Sequence, residues 1–145
     1  MARAEASLVI NYPVDKVFAY LADISKGMEW QSELVEAKQT SSGPVGVDTT
    51  ISEVRRILGR NLETSFTITE FVPDCRLEFK STSGPIPMRA YYSLEESGGG
   101  AKVTMVVEAE LTGVFKMTEP LVVQTAKRQM DADIARLKDI LEAGS

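Results

Sequence analysis

Apolar and polar positions recur along this chain with periods that predict its elements. Ala6-Ser7-Leu8-Val9-Ile10-Asn11-Tyr12 puts Ala6, Leu8, Ile10 and Tyr12 on one side, the two-residue period of a strand. Pro13 follows, a residue favoured in the first turn of a helix, where its missing N–H costs nothing. Val14, Val17, Phe18, Leu21 and Ala22 then step by threes and fours with Asp15 and Lys16 opposite. This predicts an amphipathic helix of about three turns that ends near Asp23-Ile24-Ser25. Lys26-Gly27-Met28-Glu29-Trp30 reads as a short helical turn or loop.

Between residues 33 and 112 the pattern changes to strands punctuated by turn residues. The segments 33–40, 49–58, 62–71, 76–81, 88–95 and 102–112 have strand character. They are separated at Ser41-Ser42-Gly43-Pro44, Leu58-Gly59-Arg60-Asn61, Pro73-Asp74, Ser83-Gly84-Pro85-Ile86-Pro87 and Ser97-Gly98-Gly99-Gly100. With the first strand they make seven, and connections this short predict antiparallel pairing. Parity places Leu62, Phe66 and Ile68 on one buried face, as it does Leu77 and Phe79, then Met88, Ala90, Tyr92 and Leu94. In the last strand Val103, Met105, Val107, Ala109 and Leu111 face in, while Lys102, Thr104, Glu108 and Glu110 face out. One wetted and one buried face is the antiparallel pattern.

The segment 117–142 is the longest element. Val123, Ala126, Met130, Ile134, Leu137 and Leu141 form an apolar stripe about 27 Å long at ~1.5 Å per residue. Gln124, Lys127, Arg128, Asp131 and Lys138 take the other side. The fold class is therefore α+β, a single domain over 1–145 in which a curved seven-stranded antiparallel sheet wraps a long C-terminal helix, with short helices after the first strand. A curled sheet diverges from a straight rod, so a hollow remains unless large side chains fill it. Met88, Met105, Met117 and Met130 suit either core filling or an irregular ligand. Ala90 and Ala109 leave volume on the buried faces.

Composition narrows the chemistry. Of 145 residues, 43% are apolar and 26% charged, near the globular average. No histidine is present, which removes Ser-His-Asp triads, Cys-His pairs and His-ligated metal sites. Cys75 is the single cysteine; it forms no internal disulfide, and with no base beside it it reads as inert. Asp131 and Asp133 diverge on the helix, so no metal is expected. Gly98-Gly99-Gly100 lacks the Lys-Ser/Thr of a phosphate loop and reads as a hairpin tip. The net charge of −5, with basic clusters only at Arg55-Arg56 and Lys127-Arg128, argues against nucleic acid. No apolar run approaches the roughly 20 residues of a membrane span, and Glu5 falls where a signal peptide's apolar core would begin. The expected location is cytoplasmic.

The first strand followed by NYPVDKVFAYLADISKGMEW, then GPVGVDT, TITEFVPDCRLEF and KVTMVVEAEL before a long last helix, resembles the SRPBCC superfamily. This is the START-like group with a helix-grip fold, and the likeness is to its polyketide cyclase/dehydrase and lipid-transport branch. It spans essentially the whole chain through mostly structural motifs: Pro13 opening the helix, Trp30 ending the helical region, and Gly43-Pro44-Val45-Gly46 shaping a turn. The resemblance implies a fold shared by carriers, cyclases, hydrolases and chaperone co-factors, among which fold alone does not choose.

Without histidine, acid–base chemistry falls to Glu, Asp, Arg, Lys, Tyr and Cys. Glu53, Arg55 and Arg56 lie mid-strand with ambiguous parity. Either Glu53 and Arg55 face the cavity together and Arg56 faces solvent, or Arg56 enters alone. Glu70 shares the parity of Phe66 and Ile68 and is a further inward candidate. Tyr92 either orients a ligand carbonyl or bonds to backbone. Trp30 either closes the open end of the sheet or plugs the core beside Phe18 or Leu21. Trp30, Phe66, Phe79, Met88, Tyr92, Met105, Met117, Leu121 and Val122 are the ligand-binding candidates, with 115–120 part of the entrance. The expected function is cofactor-free binding or transport of a small hydrophobic molecule, a lipid, polyketide-like or isoprenoid compound. The alternatives are a cyclase or dehydratase using Glu53, Arg55 and Tyr92, and a protein-interaction module. A homodimer is compatible with all three.

Overall fold

In the computed structural model, which describes residues 2–57 and 59–144, the chain opens with β1 (Ala2–Ile10) and α1 (Val14–Ala22). A 3₁₀ turn over Ile24–Lys26 leads into α2 (Gly27–Trp30). Six strands follow: β2 (Leu34–Gln39), β3 (Thr50–Ile57), β4 (Arg60–Val72), β5 (Arg76–Ser83), β6 (Met88–Ser97) and β7 (Gly100–Ala109). The chain closes with α3 (Gly113–Met117) and α4 (Glu119–Ala143). The strand end expected at Leu58, and the chain ends at Met1 and Ser145, lie outside the described residues. The sheet runs β1-β7-β6-β5-β4-β3-β2, antiparallel at every step, which is the expected α+β architecture.

α4 lies against β1 for a reason written in β1. Ala2, Ala4 and Ala6 alternate with exposed Arg3, Glu5 and Ser7, so the strand begins four residues earlier than its β-formers predict. Two polar ties fix the far end of the helix: the Asn11 N–H donates to Glu142, and Lys138 Nζ donates to the Val9 carbonyl at 3.0 Å. Lys138 is thus half-buried rather than on the free side. Met130, Ile134, Leu137 and Leu141 enter a core with Ile10, Ile68, Leu77 and Val103, as the stripe predicts. At the hairpin tip, a Cβ on Gly100 would stand 2.4 Å from the Ile10 carbonyl, which explains glycine where β7 meets the end of β1.

The helix predicted over 117–142 is α4, and the short α3, which the spacing does not predict, precedes it. Thr118 breaks the run at φ −109° and ψ 23°, its hydroxyl donating back to the Val114 carbonyl at 2.7 Å, and Pro120 sits in the first turn of α4. β7 ends at Ala109, before the predicted 112, while Leu111 still turns inward to pack with Ala2 and Ile86. Glu70 faces outward, contrary to its parity. The register slips between Ile68 and Glu70, a bulge that returns Phe71 to the core against Phe18, with ring centroids 5.3 Å apart.

The outer face carries a ladder of ion pairs across five strands. Arg3 contacts Glu5 and Glu108, Arg89 joins Glu108 to Glu78, and Arg76 joins Glu78 to Glu70. The Arg76 and Arg89 guanidinium groups flank the Tyr91 ring at 4.0 and 5.1 Å.

Candidate functional site

The C-terminal half of α4 packs on the sheet, whereas its N-terminal half roofs a cavity of about 510 Å³. Val122, Ala126, Gln129, Met130 and Asp133 supply that roof, and the concave face of the sheet supplies the floor. The space exists because small residues, Ala37, Ala90, Ala109 and Ala126, stand where larger ones would fill it. The predicted lining residues Trp30, Phe66, Phe79, Met88, Tyr92, Met105 and Val122 all border it. Met117 and Leu121 do not: they are 85% and 54% exposed on the solvent side of the helical connection. Met117 is the last residue of α3, before the break at Thr118, and Leu121 lies on the exposed face of the first turn of α4.

Backbone register settles the open parity of β3. Ile51 is buried, so Glu53 and Arg55 share its side and line the cavity, across from Thr64 and Leu62 of β4. Their side chains are only 17% and 27% exposed. Arg55 Nε donates to Glu53 Oε1 at 3.3 Å, and its Nη2 donates to Gln31 Oε1 at 2.5 Å. Arg56 is exposed on the other side, although it touches the cavity rim.

Trp30 is fully buried as the last residue of α2, and it serves as core and cavity wall together. Its ring lies 6.0 Å from that of Tyr92, which meets Phe79 edge to face, also at 6.0 Å. Tyr92 is thereby clamped between two aromatic rings. Among the described residues its hydroxyl has no hydrogen-bond partner. Burial pushes the phenol pKa well up; Arg55 opposes that shift, and Glu53 and Asp133 reinforce it. The phenol is therefore a neutral donor at any physiological pH.

Opposite the Glu53–Arg55 pair, Asp133 enters from α4 with 5% of its surface exposed. It accepts from the Ser32 N–H at 3.2 Å, the Ser32 hydroxyl at 3.3 Å and Gln129 Nε2 at 2.8 Å. Gln129 also donates to the Ser32 hydroxyl. Among the described residues, no group of three or more potential ligands is placed to hold a metal. No helix there is long and apolar enough to cross a membrane.

The family described as polyketide cyclase/dehydrase and lipid transport matches residues 1–142. The chain belongs to this family. Solved structures agree in fold. A protein from Thermus thermophilus superposes with a TM-score of 0.86 at 18% identity, covering 99% of each chain. A START superfamily protein from Mycobacterium smegmatis gives 0.80 at 10% identity over 100% of each. A protein from Colwellia psychrerythraea, whose solution structure is a dimer, gives 0.68 at 18% identity over 100% and 99%. No curated protein matches the chain in sequence. The helix-grip fold expected of this polyketide cyclase/dehydrase family member is thus present, with its sheet, long helix and cavity in place.

Sequence reading missed Asp133, Gln129 and Gln31 as cavity residues. For Asp133 a signal existed, because it stands three residues after Met130 and four before Leu137, on the apolar stripe itself. Gln31 follows α2 in a stretch with no periodicity to place it.

Proposed function

We propose that the protein binds a small hydrophobic molecule in the cavity between the sheet and α4. The cavity is the observation that carries this reading. Its volume of about 510 Å³ falls within the range of small-molecule sites, roughly 300–1,000 Å³. Its walls are mainly aromatic and aliphatic side chains with a few converging polar groups. Affinity would come from apolar burial at about 25 cal/mol per Å², and Arg55, Tyr92 and Asp133 would set orientation. Native mass spectrometry of gently purified protein, followed by organic extraction, tests the reading. Release of an apolar molecule supports it. Failure of both co-purified and added lipids and polyketide-like compounds to bind would sink it.

A second reading rests on the inward Glu53–Arg55 pair beside Tyr92. In a cofactor-free cyclase or dehydratase, Glu53 would take a proton next to a carbonyl, while Arg55 and Tyr92 would stabilise the oxygen that gains charge. Glu53→Gln separates the two readings: a carrier keeps its affinity, whereas an enzyme keeps binding and loses at least about a hundredfold in turnover.

A further inference from the structure

We infer that the molecule this cavity takes carries an uncharged carbonyl oxygen at its inner end, and that the Tyr92 hydroxyl donates a hydrogen bond to it. This rests on the ligand-binding reading above and narrows it to a chemical class. The Tyr92 ring is held by Trp30 and Phe79, so its hydroxyl is aimed rather than swinging. The charged groups on the inner walls already have protein partners. Arg55 holds Glu53 and Gln31, and Asp133 is satisfied by Ser32 and Gln129. The Tyr92 O–H has none among the described residues. The hydroxyl opens onto the cavity and is not sealed in protein, so a ligand that excludes water from it must supply an acceptor or leave the donor unpaired.

The charge of the walls decides which acceptor. On the inner walls Arg55 stands against two carboxylates, Glu53 and Asp133, while the exposed Arg56 and Asp23, and the half-buried Glu33, also border the cavity. A carboxylate ligand would enter a low-dielectric space already negative on balance, and the inner arginine is committed to Glu53. An ammonium ligand would meet the negative balance favourably, but it has no acceptor for the Tyr92 donor and loses its own strong hydration on entry. A ketone, ester or amide oxygen accepts from Tyr92 and adds no charge.

Three probes sharing a heptyl tail test this: methyl heptyl ketone, octanoate and octylamine, titrated calorimetrically into the full chain at neutral pH. Trp30 is the single tryptophan and borders the cavity, so its fluorescence reports whether binding occurs there. The expected result is that the ketone binds at least about tenfold more tightly than either charged probe. Tyr92→Phe, which keeps the ring, should weaken the ketone about three- to tenfold and leave the other two unchanged. Octanoate or octylamine binding as tightly as the ketone would overturn the inference while leaving the cavity reading intact. So would a ketone affinity indifferent to Tyr92→Phe. Absence of binding by all three, with no Trp30 response, would overturn both.

Discussion

Asp133 shows how one residue ties the helix to the cavity rim. It sits on the buried face of α4, and its carboxylate is the shared acceptor for the backbone and hydroxyl of Ser32 and the amide of Gln129. Ser32 belongs to the link between α2 and β2, so this single group joins the roof to the wall that holds Trp30. Removing the acceptor breaks three part-buried hydrogen bonds to a charged group, a loss of about 1–3 kcal/mol. Asp133→Ala should therefore lower stability by that amount in urea unfolding, whereas Asp131→Ala, on the exposed side of the same helix, should stay within about 0.5 kcal/mol. Equal effects would mean that the tether is not structural. The contrast also marks what was readable at this scale. Parity and helical spacing placed Phe66, Phe79, Met88, Tyr92 and Met105 on the cavity side, because each has apolar neighbours two or four positions away. An acid on an apolar stripe is read as exposed by its type, although its spacing says otherwise.

At the scale of elements, the pairing of strands creates interactions that no single strand displays. Arg76, Glu78, Arg89 and Glu108 each read as outward by alternation, but only the register brings them into one ladder. Glu78 is its centre, half-buried and contacted by Arg76, Arg89 and Thr69. Burial alone would raise its pKa; the hydrogen bonds from Arg89 and Thr69 and the two guanidinium charges outweigh that and lower it below the ordinary 4.5. A lowered folded-state pKa gives stability that is present above the unfolded value and is lost as pH falls through the folded one. Glu78→Gln should thus lower Tm by about 3–5 °C at neutral pH, with the difference from the parent chain shrinking below pH 4.5. A gap that persists unchanged in acid would point to packing instead of charge. The same dependence on register explains the misplacement of Glu70. A bulge shifts parity by one residue and has no reliable signature in a run such as Thr67-Ile68-Thr69-Glu70, where every residue is compatible with either side. The short α3 went unread for a different reason: a helix of 5 residues has too few positions to show a period, and Val114 and Met117 on it are exposed.

For the molecule as a whole, the cavity follows from a mismatch between a curled sheet and a straight helix pinned at one end. Ile134, Leu137 and Leu141 fill the contact where helix and sheet are close, while alanines line both surfaces where they part. A sequence shaped for stability alone would carry larger side chains at those positions, since well-packed apolar volume stabilises and empty volume does not. Ala90 is the most informative of them. It lies in β6 between Phe79 of β5 and Val107 of β7, two residues from Tyr92, and it faces the cavity. Ala90→Phe would place a ring in the open space with no backbone change demanded by the strand. If the cavity is a working site, this variant should match or exceed the parent in Tm and lose at least about tenfold in affinity for any apolar ligand, since stability and binding draw on the same volume. Leu137→Ala, made where helix and sheet are in contact, should do the reverse: it should cost about 2–5 kcal/mol of stability while the folded fraction still binds. If Ala90→Phe destabilised the fold as strongly as Leu137→Ala does, the space would be too narrow to admit a ring, and a ligand of any bulk would be excluded with it.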